Sequence, residues 1–148
     1  LNAKKALLSL DLNNIKNKSV LIKPNAGRCV KPELGINTHP QAIAGVIEAL
    51  TEAGVKDIAI GESPILGVKT LEAFKKSGIE EVSKKYNIRL IDMDSAGYIV
   101  KEISDGRILE STKICEQVFL QFLFHTPLQL FRYRAVRTHH ICKPMMRR

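Results

Sequence analysis

The chain has 148 residues, 45% of them hydrophobic and 26% charged, which is the composition of one globular domain with its own core. Its three cysteines, Cys29, Cys115 and Cys142, lie far apart without a Cys-x-x-Cys pair. A disulfide framework is therefore excluded, and a reducing cytoplasm is the expected location. The net charge of +8 does not predict nucleic-acid binding, because residues 117–148 hold six basic residues and no acidic one, which leaves the remainder nearly neutral.

The first predicted elements are a helix, a strand and a second helix. The chain begins with a leucine, at the edge of a helix predicted over residues 3–10, and we expect it to be a fragment. A short apolar run over residues 19–24 predicts a strand buried on both faces of a parallel sheet. Thr38 and Gln41 have the T-x-x-Q spacing of a capping box. Apolar residues at helical spacing follow and predict a helix that ends at Gly54.

The same alternation continues along the chain. A second strand is predicted over residues 57–61 and a third over residues 89–92. Between them, residues 71–76 and 79–86 are predicted to form one broken helix or two short helices, divided at Gly78. Strands and helices that alternate with short connections indicate right-handed parallel crossovers. The predicted fold is therefore α/β, a three-layer domain with a mainly parallel sheet that is incomplete over this length.

A β-hairpin is predicted after the third strand. Residues 98–103 and 107–112 are strand-like and flank Ser104-Asp105-Gly106, and an Asp-Gly pair between two strands is a strong hairpin signal. This hairpin ends the domain that we predict over residues 1–116.

The carboxyl ends of the predicted parallel strands carry polar residues that a simple connection does not need. Ligands bind at this edge of open parallel sheets, because the loops converge there and the following helices point their N-termini at them. The unpaired amides of a helix start favour an anion, and a lysine adds a full charge. Six residues are therefore predicted to surround a small anionic ligand: Lys23, Asn25, Thr38, His39, Glu62 and Ser63.

Two classes of function fit these residues. In the first, the chain is an enzyme domain in which His39 or Glu62 is the catalytic acid–base group and the other four residues contact the substrate. His39 is a candidate because a histidine titrates near neutral pH, and Glu62 because a carboxylate beside a lysine is held ionised. In the second, the chain is a non-catalytic module that binds a cofactor or an electron-transfer partner. The sequence has neither a Gly-x-Gly-x-x-Gly loop nor a Gly-x-Ser-x-Gly elbow, so a dinucleotide site and a serine hydrolase are not predicted. No cofactor is identified, and no metal site is predicted.

Two long stretches of the sequence carry a resemblance to a known family. "VLIKPN" is followed by "THPQAIAGVIEALTEAGVKDIAIGESP" and then by "GIEEVSKKYNIRLIDMD". Together they resemble the uncharacterised conserved proteins grouped as domain of unknown function 362, over roughly residues 6–116. Glu62 stands where the family more often has aspartate, which keeps the carboxylate.

The resemblance implies a setting as well as a site. Proteins of this family are bacterial and archaeal, and many carry a two-cluster ferredoxin module elsewhere in the chain. A role in a redox or electron-transfer enzyme and a ferredoxin-type partner are implied by this association. The site residues that it carries over are the six predicted above. The cysteines that would bind such clusters are missing from this sequence, so cluster binding is not carried over.

Residues 117–148 depart from the family pattern. This segment is basic and contains four of the five phenylalanines and three of the four histidines. Three interpretations are open: a frameshifted, chimeric or truncated reading of the gene, which we favour, a native buried strand and helix, or a segment at a membrane surface. The apolar stretch is too short and too interrupted by proline to span a bilayer. Three metal ligands packed into four positions, His139, His140 and Cys142, do not predict a closed site.

Overall fold

A computed structural model describes residues 2–104 and 110–116. The helices in these ranges are α1 (Asn2–Leu8), α2 (Pro40–Glu52), α3 (Thr70–Lys76) and α4 (Ile79–Tyr86). The strands in the same ranges are β1 (Ser19–Ile22), β2 (Asp57–Glu62), β3 (Arg89–Asp92), β4 (Tyr98–Glu102) and β5 (Ser111–Cys115). Single 3-10 turns cover Asn13–Ile15 and Pro32–Leu34.

The first three strands form a parallel sheet in the order β1-β2-β3. Ile22 lies opposite Ile60, and Ile60 lies opposite Leu90. Helix α2 connects the first two strands, and α3 and α4 connect the second and third. The prediction of an α/β fold with a parallel sheet is confirmed, and all three carboxyl ends lie at one edge.

The core lies between one face of this sheet and the helices. Alternate strand residues such as Val20, Ile58 and Leu90 pack against buried side chains of α2, α3 and α4, among them Ile47 and Phe74. Helix α1 packs along α2, where its backbone approaches Gly45. The described residues thus contain the sheet and a helical layer on one face, and the third predicted layer stays a prediction.

The start of α2 differs from the capping box that the sequence predicts. His39 is the N-cap residue, and its Nδ1 accepts a hydrogen bond of 3.3 Å from the amide of Gln41. Thr38 does not cap the helix because its Oγ1 accepts the amide of Asn25 instead, at 2.9 Å. The predicted helix end is correct, since Gly54 has a φ of 84° directly after α2.

The antiparallel pair β4–β5 confirms the hairpin, but the second strand lies later than predicted. It occupies Ser111–Cys115 in place of residues 107–112, and Glu102 is paired with Ser111. The amide of Ile103 donates to the carbonyl of Glu110 at 2.9 Å. The Asp-Gly turn lies outside the described residues, as does the segment 117–148, so the division of the chain into 1–116 and a tail stays a prediction.

The longest described helix is α2, with 13 residues. A bilayer requires about 20 apolar residues in a helix. Within the described ranges, no helix combines the length and the apolar character that a membrane span needs.

Candidate functional site

A buried carboxylate marks the carboxyl end of β2. Glu62 is only 2% exposed, and its Oε1 lies 2.5 Å from the Nζ of Lys23. Two backbone amides complete its surroundings: the amide of Ser63 donates to Oε1 at 2.8 Å, and the amide of Ala26 donates to Oε2 at 3.0 Å. A buried charge is tolerated only when it is paired and hydrogen-bonded, and Glu62 meets both conditions.

The sheet register explains why Lys23 reaches Glu62. Ile22 ends β1 and is paired with Ile60, two residues before the end of β2. The side chain that follows β1 therefore emerges beside the end of β2. The side chain of Lys23 remains 40% exposed, and an ammonium group has three donors. Lys23 is thus held by a buried partner and remains accessible to a ligand.

Two predicted residues hold the loop between β1 and α2 in place. Thr38 and Asn25 form a pair of hydrogen bonds, since Thr38 Oγ1 accepts the Asn25 amide and the Thr38 amide donates to the Asn25 carbonyl at 2.7 Å. The side-chain amide of Asn25 also donates to the carbonyl of Ile36 at 3.0 Å. These contacts join the end of β1 to the start of α2.

The same loop contains a buried residue that the sequence analysis missed. Asn37 is 5% exposed, and its Nδ2 donates to the carbonyl of Arg28 at 2.7 Å. Its Oδ1 accepts the amide of Arg28 at 3.4 Å. Asn37 therefore closes the loop on itself. An asparagine among loop residues is common, so only its burial distinguishes it.

A cleft of about 330 Å³ opens at this edge of the sheet and is lined by Lys23, Asn25, Gly27, Glu62 and Ser63. Four of the six predicted site residues are among them. The other two, Thr38 and His39, are described residues that do not line it. A larger depression of about 410 Å³ lies beside the ends of α1 and α2 and includes none of the predicted residues.

A second group of polar contacts lies at the end of β3. Asp92 accepts the hydroxyls of Thr70 at 2.6 Å and Ser95 at 2.7 Å, and the amide of Asp94 at 3.1 Å. Burial opposes ionisation of Asp92, but these hydrogen bonds outweigh it and hold its pKa below the ordinary value. Asp94 in turn accepts the hydroxyl of Ser63 at 2.5 Å. This last contact connects the β3 end to the cleft.

Lys23 and Ser63 both carry polar side chains in the lining of the cleft. Within the described ranges, no group of three or more histidine, cysteine, aspartate or glutamate side chains is arranged to hold a metal ion. The carboxyl-edge rule identified Lys23, Asn25, Glu62 and Ser63, because it depends only on strand order. Asp92 ends β3 and Asp94 follows it at the same edge, and the same rule could have added both to the candidate residues.

Comparison with known proteins identifies a family. The family model described as Domain of unknown function (DUF362) matches residues 20–121. No curated protein matches the chain significantly, and no solved structure does. The matched residues include β2, β3, all of β1 except Ser19, and every residue that lines the cleft.

Proposed function

The chain belongs to the DUF362 family, and we propose that the cleft at the carboxyl edge of its sheet binds a small anionic ligand through Lys23. The observation that carries this proposal is the contact of 2.5 Å between Lys23 and the buried Glu62 at a cleft of about 330 Å³. Glu62 fixes the position of the ammonium group, while 40% of the lysine side chain stays exposed. An anionic group of the ligand would accept a charge-assisted hydrogen bond from it.

The start of α2 contributes less to this site than the sequence suggests. The amide of Gln41 is already bound by His39 Nδ1, so the helix start does not offer this donor to a ligand. The anion contact therefore falls mainly to Lys23. Because Glu62 balances its charge, long-range attraction is weak. Recognition depends on close fit in the cleft.

We propose ligand binding ahead of catalysis because neither candidate acid–base group, His39 or Glu62, is free at the cleft to act on a ligand. His39 is outside the cleft lining. Glu62 accepts three donors and is placed to orient Lys23. The assignment of His39 or Glu62 as an acid–base group remains a hypothesis. The alternative class, a non-catalytic module for a cofactor or a ferredoxin-type partner in a cytoplasmic redox system, stays a second proposal that rests on the family resemblance.

The test is calorimetric titration of the full chain with inorganic phosphate and with acetate. Replacing Lys23 by methionine should weaken binding by about 1.5–3 kcal/mol, the usual contribution of a hydrogen bond to a charged group. That corresponds to roughly 12- to 160-fold in Kd. Lys84→Met is the control for loss of a lysine, because it breaks a more exposed ion pair with Glu80 within α4 and Lys84 does not line the cleft.

A second variant guards against misfolding. Lys23→Met leaves Glu62 buried without its cation, which is destabilising. The double variant Lys23→Met with Glu62→Gln removes both charges and keeps an acceptor for one of the two backbone amides that Glu62 binds. It should lose phosphate and acetate binding while still melting cooperatively, at a lower temperature than the wild type. Binding that is equal in the wild type, in this double variant and in Lys84→Met would contradict the proposal, as would the absence of binding to the wild type.

A further inference from the structure

We infer that the ligand of this cleft carries a hydrogen-bond donor, such as a hydroxyl group, close to its anionic group. The inference rests on the proposed function and specifies the class of ligand. It comes from Ser63, which is 8% exposed and lines the cleft beside Lys23.

Both donors of Ser63 are already bound to carboxylates. Its hydroxyl donates to Oδ1 of Asp94 at 2.5 Å, a distance typical of a strong hydrogen bond to a carboxylate. Its backbone amide donates to Oε1 of Glu62 at 2.8 Å. An ionised carboxylate accepts hydrogen bonds and donates none, so Asp94 fixes the direction of the hydroxyl proton. What the Ser63 hydroxyl has left for a ligand is an oxygen lone pair.

The other polar groups of the cleft make the pattern more specific. The side-chain amide of Asn25 donates to the Ile36 carbonyl, and the amide of Gly27 approaches the Asn25 side-chain oxygen at 3.4 Å. These loop groups therefore bind one another. The ammonium of Lys23 has three N–H donors and keeps some of them for a ligand beside its contact with Glu62. The hydroxyl of Ser63 offers an acceptor.

The two contacts lie close together. Oε1 of Glu62 binds both the ammonium of Lys23 and the amide of Ser63. A ligand that meets both residues must therefore hold its anionic and donor groups within a short distance. Small hydroxy-substituted carboxylates and phosphates have this arrangement. The unsubstituted acids of the same size and charge lack the donor and would leave the lone pair of the Ser63 hydroxyl without a ligand donor.

The experiment compares matched ligands by calorimetric titration of the full chain. Glycolate is compared with acetate, and 2-hydroxyethyl phosphate with ethyl phosphate, so that the two arms separate a carboxylate site from a phosphate site. In at least one arm the hydroxylated ligand should bind about 2- to 12-fold more tightly, the range of a neutral hydrogen bond.

Variants then assign this preference to the serine. Ser63→Ala should abolish the preference, so that the two members of each ligand pair bind with equal affinity. Asp94→Ala should reduce the preference for the hydroxylated ligand, because the Ser63 hydroxyl is then free to donate to the ligand. Ser95→Ala is the matched control, since the Ser95 hydroxyl binds Asp92 and does not line the cleft. It should keep the wild-type preference.

The failure of this inference is distinguishable from that of the proposed function. Equal binding of both members of each ligand pair to the wild type, with the Lys23 dependence intact, overturns the inference and leaves the anion site standing. A preference that survives Ser63→Ala also overturns it. If none of the four ligands binds to the wild type, the proposed function fails, and this inference fails with it.

Discussion

Each of the two crossovers of the parallel sheet has a threonine near a helix start, and the two threonines have the same unexpected role. Thr38 stands just before α2, and Thr70 is the first residue of α3. Neither hydroxyl caps its helix. Thr38 accepts the amide of Asn25 after β1, whereas Thr70 donates to Asp92 at the end of β3. Each threonine thus joins a helix start to a strand end, which fixes the edge where the cleft lies.

The two crossovers differ in how they stabilise a carboxylate. Glu62 and Asp92 are directly paired in the sheet register. The carboxylate of Glu62 forms an ion pair with Lys23 and accepts hydrogen bonds from two backbone amides. Asp92 accepts hydrogen bonds from the hydroxyls of Thr70 and Ser95 and from backbone amides. The cation is found at the carboxylate that lines the cleft. Neutral donors are found at Asp92, which does not line the cleft and whose contacts stabilise the fold.

The largest expected effect comes from removing Glu62. Glu62→Ala leaves the amides of Ala26 and Ser63 without acceptors in a buried region and removes the partner of Lys23. Each buried unsatisfied group costs about 1–3 kcal/mol, so we expect the free energy of unfolding to fall by about 3 kcal/mol. Urea denaturation monitored by circular dichroism measures it.

The control for this variant lies at the other end of the same strand. Asp57→Ala breaks the ion pair with Arg89, whose two side chains are 58% and 49% exposed. Exposed pairs contribute less than about 1 kcal/mol, so the change should be small. Similar losses in Glu62→Ala and Asp57→Ala would mean that burial at the cleft does not distinguish Glu62.

The next effect tests the neutral donors at Asp92. Thr70→Val keeps the shape of a side chain that is 3% exposed and removes its hydrogen bond to the carboxylate. We expect a loss of about 1.5 kcal/mol at neutral pH. The pKa of Asp92 should rise, because burial, which favours the neutral acid, is then opposed by fewer hydrogen bonds.

The pH dependence of this loss has a definite sign. The folded-state pKa of Asp92 is lowered, so its carboxylate contributes stability that is present above the unfolded pKa and is lost as the pH falls through the folded pKa. The difference between the wild type and Thr70→Val should therefore be largest near neutral pH and shrink in acid. Carboxyl NMR titration reports the pKa directly. Thr51→Val, which removes a hydroxyl bound to the Ile47 carbonyl within α2, should leave the pKa of Asp92 unchanged.

Strand order made the main features of the fold and the site predictable. Continuous apolar runs identified the strands, and parallel pairing then required Lys23 and Glu62 to emerge at one edge. This reasoning needs no knowledge of side-chain partners, because both residues directly follow or end a strand. The ion pair between them is a consequence of that order.

The choice of partner for each polar side chain was not predictable in the same way. The T-x-x-Q pattern of Thr38 and Gln41 is typical of a helix cap. The contact of Thr38 with Asn25, which replaces the cap, forms only when the loop is folded against the helix start. Ser63 and Asp94 are separated by 31 residues, and their contact depends on how two strand ends are spaced. Hydrogen bonds of this kind are decided by tertiary geometry, and local patterns do not reveal them.

The smallest expected effect concerns the helix starts themselves. Helix α3 has Lys69 as its N-cap residue, with an extended backbone and no side-chain cap. Lys69→Asp would supply a cap, and with Glu72 it would form a capping-box spacing. The exposed contact between Lys69 and Glu72 contributes little. We therefore expect the free energy of unfolding to rise by about 1 kcal/mol.

His39→Asp should give a smaller gain, because α2 already has a cap in His39 Nδ1. Lys69→Ala controls for loss of the ion pair and should give no gain. Equal gains at positions 39 and 69, measured by urea denaturation, would show that the His39 contact contributes nothing and that the two crossovers begin their helices alike.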